Sequence, residues 1–344
     1  MAGEIAAGRR PLAGLMTAVL VALPVALFLL SFLLGRYPVP PLTVIKVIAA
    51  QLLPIAQDWP AVVGSVVLDV RLPRVIAAMV VGGGLAMSGA CYQGVFRNPL
   101  VSPFTLGVSS GAGFGAAVAI VLFQQRYAVQ VSAFVFGLAA VGLCFFMSRL
   151  YRLGSTLILV LAGVIVGALF TALLSLLKYV ADPNSKLPVI EFWLLGSLSS
   201  VSMADVVVVL AVTVPSAAVL LLLRWRISIL AMGDEQARIL GVEAGRLRLV
   251  VVLFATLIAA STVSISGIIG WIGLVIPHLA RMVVGPDFRR LLPATLSLGA
   301  CYLLVIDDLA RVMTSAEVPL GILTALVGAP VFMLLLRRGS FGWA

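Results

Sequence analysis

The chain has 344 residues, of which 62% are hydrophobic and only 10% charged, and its formal net charge is +10. One histidine and three scattered cysteines (Cys91, Cys144, Cys301) argue against a His-based metal site, a catalytic triad or a disulfide framework. The apolar residues fall in blocks of about 20, the helical length that crosses a hydrocarbon core of roughly 30 Å, so the excess of Lys and Arg reads as membrane topology rather than as a nucleic-acid surface.

Arg9 and Arg10 precede an uncharged run from Leu12 to Leu34. The run is too long for a secretory signal and has no small-x-small cleavage site before Arg36, so it reads as an uncleaved first span. Residues 36–73 follow outside, carrying Pro38, Pro40, Pro41, Pro54 and Pro60 with an amphipathic stretch between them. Spans are predicted at 75–95, 104–123, 128–148 and 156–177. A second outer segment, 178–203, opens with the turn Asp182-Pro183-Asn184 and continues into the interfacial pair Phe192-Trp193. After a span at 204–223 comes the one long inner loop, 224–247, then spans at 248–265, 268–284, 291–307 and 319–336. The whole, 1–344, is expected to be one all-α polytopic domain of ten spans. A lipid-exposed backbone must satisfy its own hydrogen bonds, and the short alternating segments of a β-barrel are not visible. With both termini inside, most of the 23 Lys and Arg face the cytoplasm. Arg71, Arg74 and Arg311 fall outside and call for another explanation.

Small residues crowd several spans, as in Gly82-Gly83-Gly84, Ser88-Gly89 and Gly107 to Gly115. They read either as tight helix packing or as the border of a pathway. Ser88-Gly89 precedes Pro99 by the interval at which Ser266-Gly267 precedes Pro277, an echo open to chance or to an internal repeat.

Residues able to carry chemistry are few. The segment Gly233-Asp234-Glu235-Gln236-Ala237-Arg238-Ile239-Leu240-Gly241-Val242 is polar and helical up to a glycine stop. Ala237, Leu240 and Val242 are expected to form a small apolar face ringed by charge, as on a docking helix; a solvated connector is the alternative. Arg97-Asn98-Pro99-Leu100 is a turn, because Asn before Pro leaves the helical region, and it suits an inner gate or an ordinary loop. Arg71-Leu72-Pro73-Arg74 offers a rigid cationic patch for a partner's carboxylates or for lipid phosphates. Asp307 and Asp308 invite a proton-relay reading, while Arg311, three residues after Asp308, offers an intrahelical ion pair instead. Glu191 and Glu317 read as solvated, His278 as structural, and Trp271 and Tyr92 as ligand-bordering or packing aromatics. No G-x-x-x-x-G-K-[ST], H-E-x-x-H or G-x-S-x-G motif occurs, which removes nucleotide hydrolysis by a phosphate loop and the usual intramembrane hydrolases.

Together, RLPRVIAAMVVGGGLAMSGACYQGVFRNPLVSPFTLGVSSGAGFG, GDEQARILGV, SGIIGWIGLVIPHLARMVVG and EVPLGILTALVGAPVFMLLLRR, in this order, closely resemble the permease subunits of binding-protein-dependent ABC importers for iron–siderophores, haem and cobalamin. The likeness runs from about Arg71 to Arg338. It implies the type II importer architecture, a homodimer with its path on the two-fold axis, two ABC ATPase subunits and a soluble or lipid-anchored substrate-binding protein. It implies no cofactor on this chain, with ATP and Mg on the partner ATPase. By motif match, Gly233, Asp234, Glu235, Ala237, Arg238, Leu240 and Gly241 would couple to the ATPase. Arg71, Arg74 and Arg311 would meet glutamates of the binding protein, and Asn98, Leu100 and Thr156 would form the cytoplasmic gate. Location in a bacterial or archaeal cytoplasmic membrane follows. The expected activity is ATP-driven alternating access for a metal chelate, a ferric siderophore first, then haem, cobalamin or molybdate. The alternative is a proton-coupled transporter using Asp307 or Asp308.

Overall fold

The computed structural model describes residues 2–35, 37–150, 156–314 and 316–337, and among them all regular structure is helical. The elements are α1 (Ala2–Ser31), α2 (Pro41–Ala49), α3 (Ala61–Ser65), α4 (Leu72–Phe96), α5 (Val108–Leu122), α6 (Arg126–Leu150) and α7 (Thr156–Val180). They continue with α8 (Lys186–Leu195), α9 (Met203–Met232), α10 (Asp234–Ile239), α11 (Ala244–Ser266), α12 (Ile272–Val284), α13 (Phe288–Val312) and α14 (Leu320–Arg337). Among the described residues six helices are long and apolar enough to cross a membrane: the run Ala61–Phe96, α6, α7, α9, α11 and α13. Shorter apolar helices within α1, α5, α12 and α14 stand at the remaining positions where spans are predicted.

Two segment boundaries differ from the sequence reading. The helix leading into α4 begins at Ala61 rather than 75, because a wide π-helical turn, Val66–Arg71, joins α3 to α4 without a break. The inner loop expected at 224–247 shrinks to 233–243. Ile227, Ile229 and Leu230 are buried, so burial carries α9 on past the charged residues that seem to end the span. The segments expected outside, 36–73 and 178–203, hold α2, α3 and α8.

The central helix is α4: 83% of its most apolar stretch is buried, against 28% for α6 and α7, whose outward faces no other helix of this chain covers. In a bilayer there is no hydrophobic pull between helices, so close backbone approach and interhelical hydrogen bonds hold them together. A methyl at Gly82 would lie 2.2 Å from the Gly299 carbonyl oxygen of α13, and one at Gly89 would lie 1.9 Å from that of Gly273 in α12. Gly111 and Gly115, one turn apart on α5, meet the Phe136 and Ser132 carbonyls of α6 at 2.5 Å in the same sense. Hydroxyls supply the polar contacts. Ser88 donates to the Ala255 carbonyl of α11 at 2.7 Å, and Tyr92 shares a 2.7 Å hydrogen bond with Thr256.

One backbone break lies between membrane helices. Helix α11 stops as Gly267 turns at φ +68°, and α12 starts after Trp271, a non-glycine residue also at φ +68°. Irregular backbone at such a place must be satisfied inside the protein. The Ser197 N–H reaches the Ser266 carbonyl at 2.8 Å, and the Leu320 N–H reaches the Gly196 carbonyl at 2.9 Å. Three helix ends (α8, α11 and α14) are thereby joined. The spacing echo finds no counterpart in this geometry: Ser88-Gly89 lies within α4, whereas Gly267 terminates α11, and Pro99 sits in a turn while Pro277 lies within α12.

Gly82→Ala and Gly89→Ala are each expected to lower stability by about 1–3 kcal/mol through overpacking. Gly142→Ala, with nothing within 4 Å of the added methyl, should be neutral. Thermal unfolding of the three variants in one detergent checks the contrast.

Candidate functional site

The α4–α13 contact sets the end of the bundle expected to be outer. Arg74 precedes Gly82 by as many residues as Asp307 follows Gly299, so antiparallel helices touching at the two glycines bring these charges level. Arg74 Nε lies 3.0 Å from both Asp307 oxygens and Nη2 lies 2.9 Å from Oδ1, while Nη1 donates to Glu317 at 2.9 Å. Arg311 stands 3.3 Å from Asp307, is ion-paired with Asp308, and donates to Ser31 Oγ at 2.9 Å. Ser31 donates in turn to Asp308 at 2.6 Å, tying α1 to α13. Arg71, delivered by the π-helical turn, donates to the backbone carbonyls of Phe32 and Tyr37.

This corrects the expectation of an exposed cationic patch. Arg71, Arg74 and Arg311 are 4%, 5% and 7% exposed. A buried charge needs a partner: Asp307, Asp308 and Glu317 pair with Arg74 and Arg311, while Arg71 is satisfied by the Phe32 and Tyr37 carbonyls. Glu317, read as solvated, is Arg74's second partner, with its side chain 32% exposed. Both acids considered for a proton relay hold cations, the arrangement of the ion-pair reading. Glu191 pairs with Lys178 at 2.6 Å.

At the opposite end α4 closes on Arg97, left-handed at φ +49°. Asn98 Oδ1 then accepts the Leu100 N–H at 2.9 Å, which leaves the Leu100 side chain 54% exposed. Thr156 begins the backbone of α7; its side chain lies outside the described residues. The turn abuts the start of α10, since a side chain at Gly233 would meet the Arg97 guanidinium at 3.2 Å. Asp234 pins α10 to α11 through Arg248 at 2.8 and 3.0 Å. The apolar face also needs correcting. Ala237 is fully buried against the chain's own helices, and Val242 packs inward beside it. Ile239 and Leu240, 77% and 53% exposed, are the apolar residues presented outward. Glu235, Gln236 and Arg238 surround them, all exposed, and Gly241 turns the chain at φ +72°.

Asp287 closes the same face. It caps α13 by accepting the Arg289 N–H at 2.9 Å, and it accepts the Ser228 hydroxyl of α9 at 3.1 Å. Partial burial opposes its charge, but these hydrogen bonds outweigh it and hold the carboxyl below the usual range. The aromatics are packing residues: Tyr92 is fully buried and stacks on Phe96, and Trp271 meets Phe332 at 6.4 Å. His278 is buried beside the same ring.

Sequence reasoning missed Glu317, Ser31 and Ile239. The first two stand 243 and 280 residues from Arg74 and Arg311, and spacing along the chain carries no sign of such pairs. Ile239 lies within the polar segment that forms α10, and placing an apolar face on so short a helix requires its cap geometry. Asp307→Asn should cost about 3–5 kcal/mol by leaving Arg74 and Arg311 short of the carboxylate they share, whereas Arg74→Met with Asp307→Leu should recover most of that loss. Unfolding midpoints of the single and double variants check this.

The FecCD transport family matches residues 22–338. The chain is 43% identical to the molybdate import system permease MolB of Haemophilus influenzae, over 80% of this chain and 83% of that protein. It is 40% identical to the hemin transport permease HmuU of Yersinia pestis (79% and 83% covered) and 38% to the cobalamin import permease BtuC of Halobacterium salinarum (88% and 80%). A solved structure of an ABC transporter assigned to the metal-chelate type, in an inward-facing conformation, superposes with a TM-score of 0.83. It is 40% identical and covers 95% of this chain and 99% of its own. Agreement of fold and sequence over nearly the full length leads to one assignment: the chain belongs to the FecCD transport family, a permease of the ABC-importer type whose nucleotide-hydrolysing machinery resides elsewhere.

Proposed function

We propose that two copies of this chain form the conduit of a metal-chelate importer, opened alternately outward and inward by two ABC ATPase subunits and loaded by a substrate-binding protein. Each copy crosses the cytoplasmic membrane ten times with both termini inside. The observation that carries the reading is the surface of α10, where Ile239 and Leu240 stand exposed among charged neighbours on a segment pinned by the Asp234–Arg248 pair. An ATPase cleft would cover that apolar pair, with Asp234, Glu235, Arg238 and Gly241 shaping its rim and Gly233 and Ala237 holding the helix to the bundle. Because Gly233 adjoins Arg97, displacement of α10 would be passed to the turn bearing Asn98 and Leu100. We assign these two, with Thr156, to the inner gate.

Docking of the binding protein is proposed at the opposite end. For Arg74 or Arg311 to receive a partner's carboxylates, an internal pair must open, and for Arg71 its hydrogen bonds to the Phe32 and Tyr37 carbonyls must give way. Glu317 is the first to be displaced, because it alone of the three acids keeps substantial solvent contact. A ferric siderophore is the proposed cargo, to be run against haem, cobalamin and molybdate. Relatives named for molybdate, hemin and cobalamin lie between 38% and 43% identity, so similarity ranks none of these above the others.

Vesicles containing the permease, its ATPase and its receptor should concentrate the cognate cargo with ATP and be indifferent to a protonophore. Ile239→Asp with Leu240→Asp is expected to abolish ATPase co-purification and uptake while the permease still elutes as a folded species. Undiminished uptake would overturn the reading. Glu317→Gln should tighten receptor docking several-fold in a binding assay by freeing a donor of Arg74, and Arg74→Glu should abolish docking.

A further inference from the structure

A groove of about 460 Å³ lies on the α10 side of the bundle, between the end of α9 and the start of α11. Trp225, Arg226, Leu240, Glu243, Arg246 and Leu247 are among its walls. We propose that it binds the headgroup of an anionic phospholipid. No step of the transport mechanism uses these arginines.

The position follows from helix geometry. Between Asp205 and Arg224 α9 carries no charged residue, a rise of roughly 28 Å, close to the hydrocarbon thickness of a bilayer. Arg224, Trp225 and Arg226 therefore emerge at headgroup level. The same holds for α11, which carries no charge after Arg248, so Arg246 stands at the matching depth. Leu222, a turn before Arg226, is 84% exposed and Trp225 is 50% exposed. A Trp beside a bare leucine face at this depth is the arrangement of a lipid-facing interface.

Charge supplies the selectivity. Among the described residues no carboxylate pairs with Arg226. Arg246 has one partner, Glu243 at 3.3 Å, and its side chain is 83% exposed. Two guanidinium groups facing one carboxylate leave a net positive groove between membrane helices, the setting in which phosphodiester headgroups are held. A phosphodiester would bridge Arg226 and Arg246 while its chains run along Leu222 toward the bilayer. The groove shares Leu240 with the exposed face of α10, so the bound lipid would lie between that face and the membrane.

The test uses the permease with its ATPase subunits, reconstituted in phosphatidylcholine vesicles doped with phosphatidylglycerol and analysed by native mass spectrometry after mild detergent release. The unmutated complex should retain phosphatidylglycerol at least about tenfold over its share of the mixture. Arg226→Gln with Arg246→Gln should lose that preference, Arg226→Lys should keep part of it, and Arg289→Gln with Arg290→Gln should keep it in full. Size-exclusion elution and thermal midpoint of each variant separate lost binding from lost folding, and enrichment in the unmutated complex is measured without any substitution. Four results would overturn the proposal: no preference in the unmutated complex, a preference undiminished in the double variant, complete displacement by millimolar inorganic phosphate, or retention only when the ATPase subunits are stripped away. The last would make the groove part of the ATPase contact.

Discussion

Backbone contact along one face of α4 is the constraint from which the remaining arrangement follows. Lipid offers apolar side chains as good a surrounding as another helix does, so α4 can be drawn to the centre only by atoms that lipid cannot replace. Gly82 against Gly299 and Gly89 against Gly273 bring main chain onto main chain, and the Ser88 and Tyr92 hydroxyls find acceptors or partners on α11. Once Gly82 and Gly299 touch, the register of α13 on α4 has no freedom left. Arg74 then meets Asp307, and the buried charges of the outer end become compatible with a membrane protein.

The two ends of the bundle are chemically opposite. At the Arg74 end, Arg74 and Arg311 are held by Asp307, Asp308 and Glu317, Arg71 is held by backbone carbonyls, and of the three acids Glu317 keeps the largest share of water. At the other end the charges of α10 are exposed and its isoleucine and leucine are bare. One end is closed upon itself, and the other is unfinished without a neighbour.

Much of this was legible in the chain. Apolar blocks without charge located the long membrane helices, since the hydrocarbon thickness imposes their length whatever the fold. Their ends were less legible. The charged cluster at Arg224 marks where α9 leaves the lipid, but buried Ile227, Ile229 and Leu230 decide where it stops. The outer arginines were recognised and their surroundings were not. Exposure is a property of what packs alongside, and Asp307 and Glu317 come from more than 230 residues away. On α10 the segment was right and the face wrong by a fraction of a turn, because Ala237 fits against neighbouring helices that a local pattern does not contain.

The joined helix ends at Gly196, Gly267 and Gly321 carry a consequence for movement. The α8 carbonyls of Trp193 and Leu195 come so close to Gly267 and Gly321 that even a methyl there would collide, at 2.2 and 2.6 Å. With main-chain hydrogen bonds spanning the same seam, α14 has no slack at its outer tip. A tilt of α14 that leaves α8 in place would have to break the Leu320–Gly196 hydrogen bond and open the contact at Gly321. Helix α8 is thus fastened to the start of α14 rather than hung from it as an independent flap.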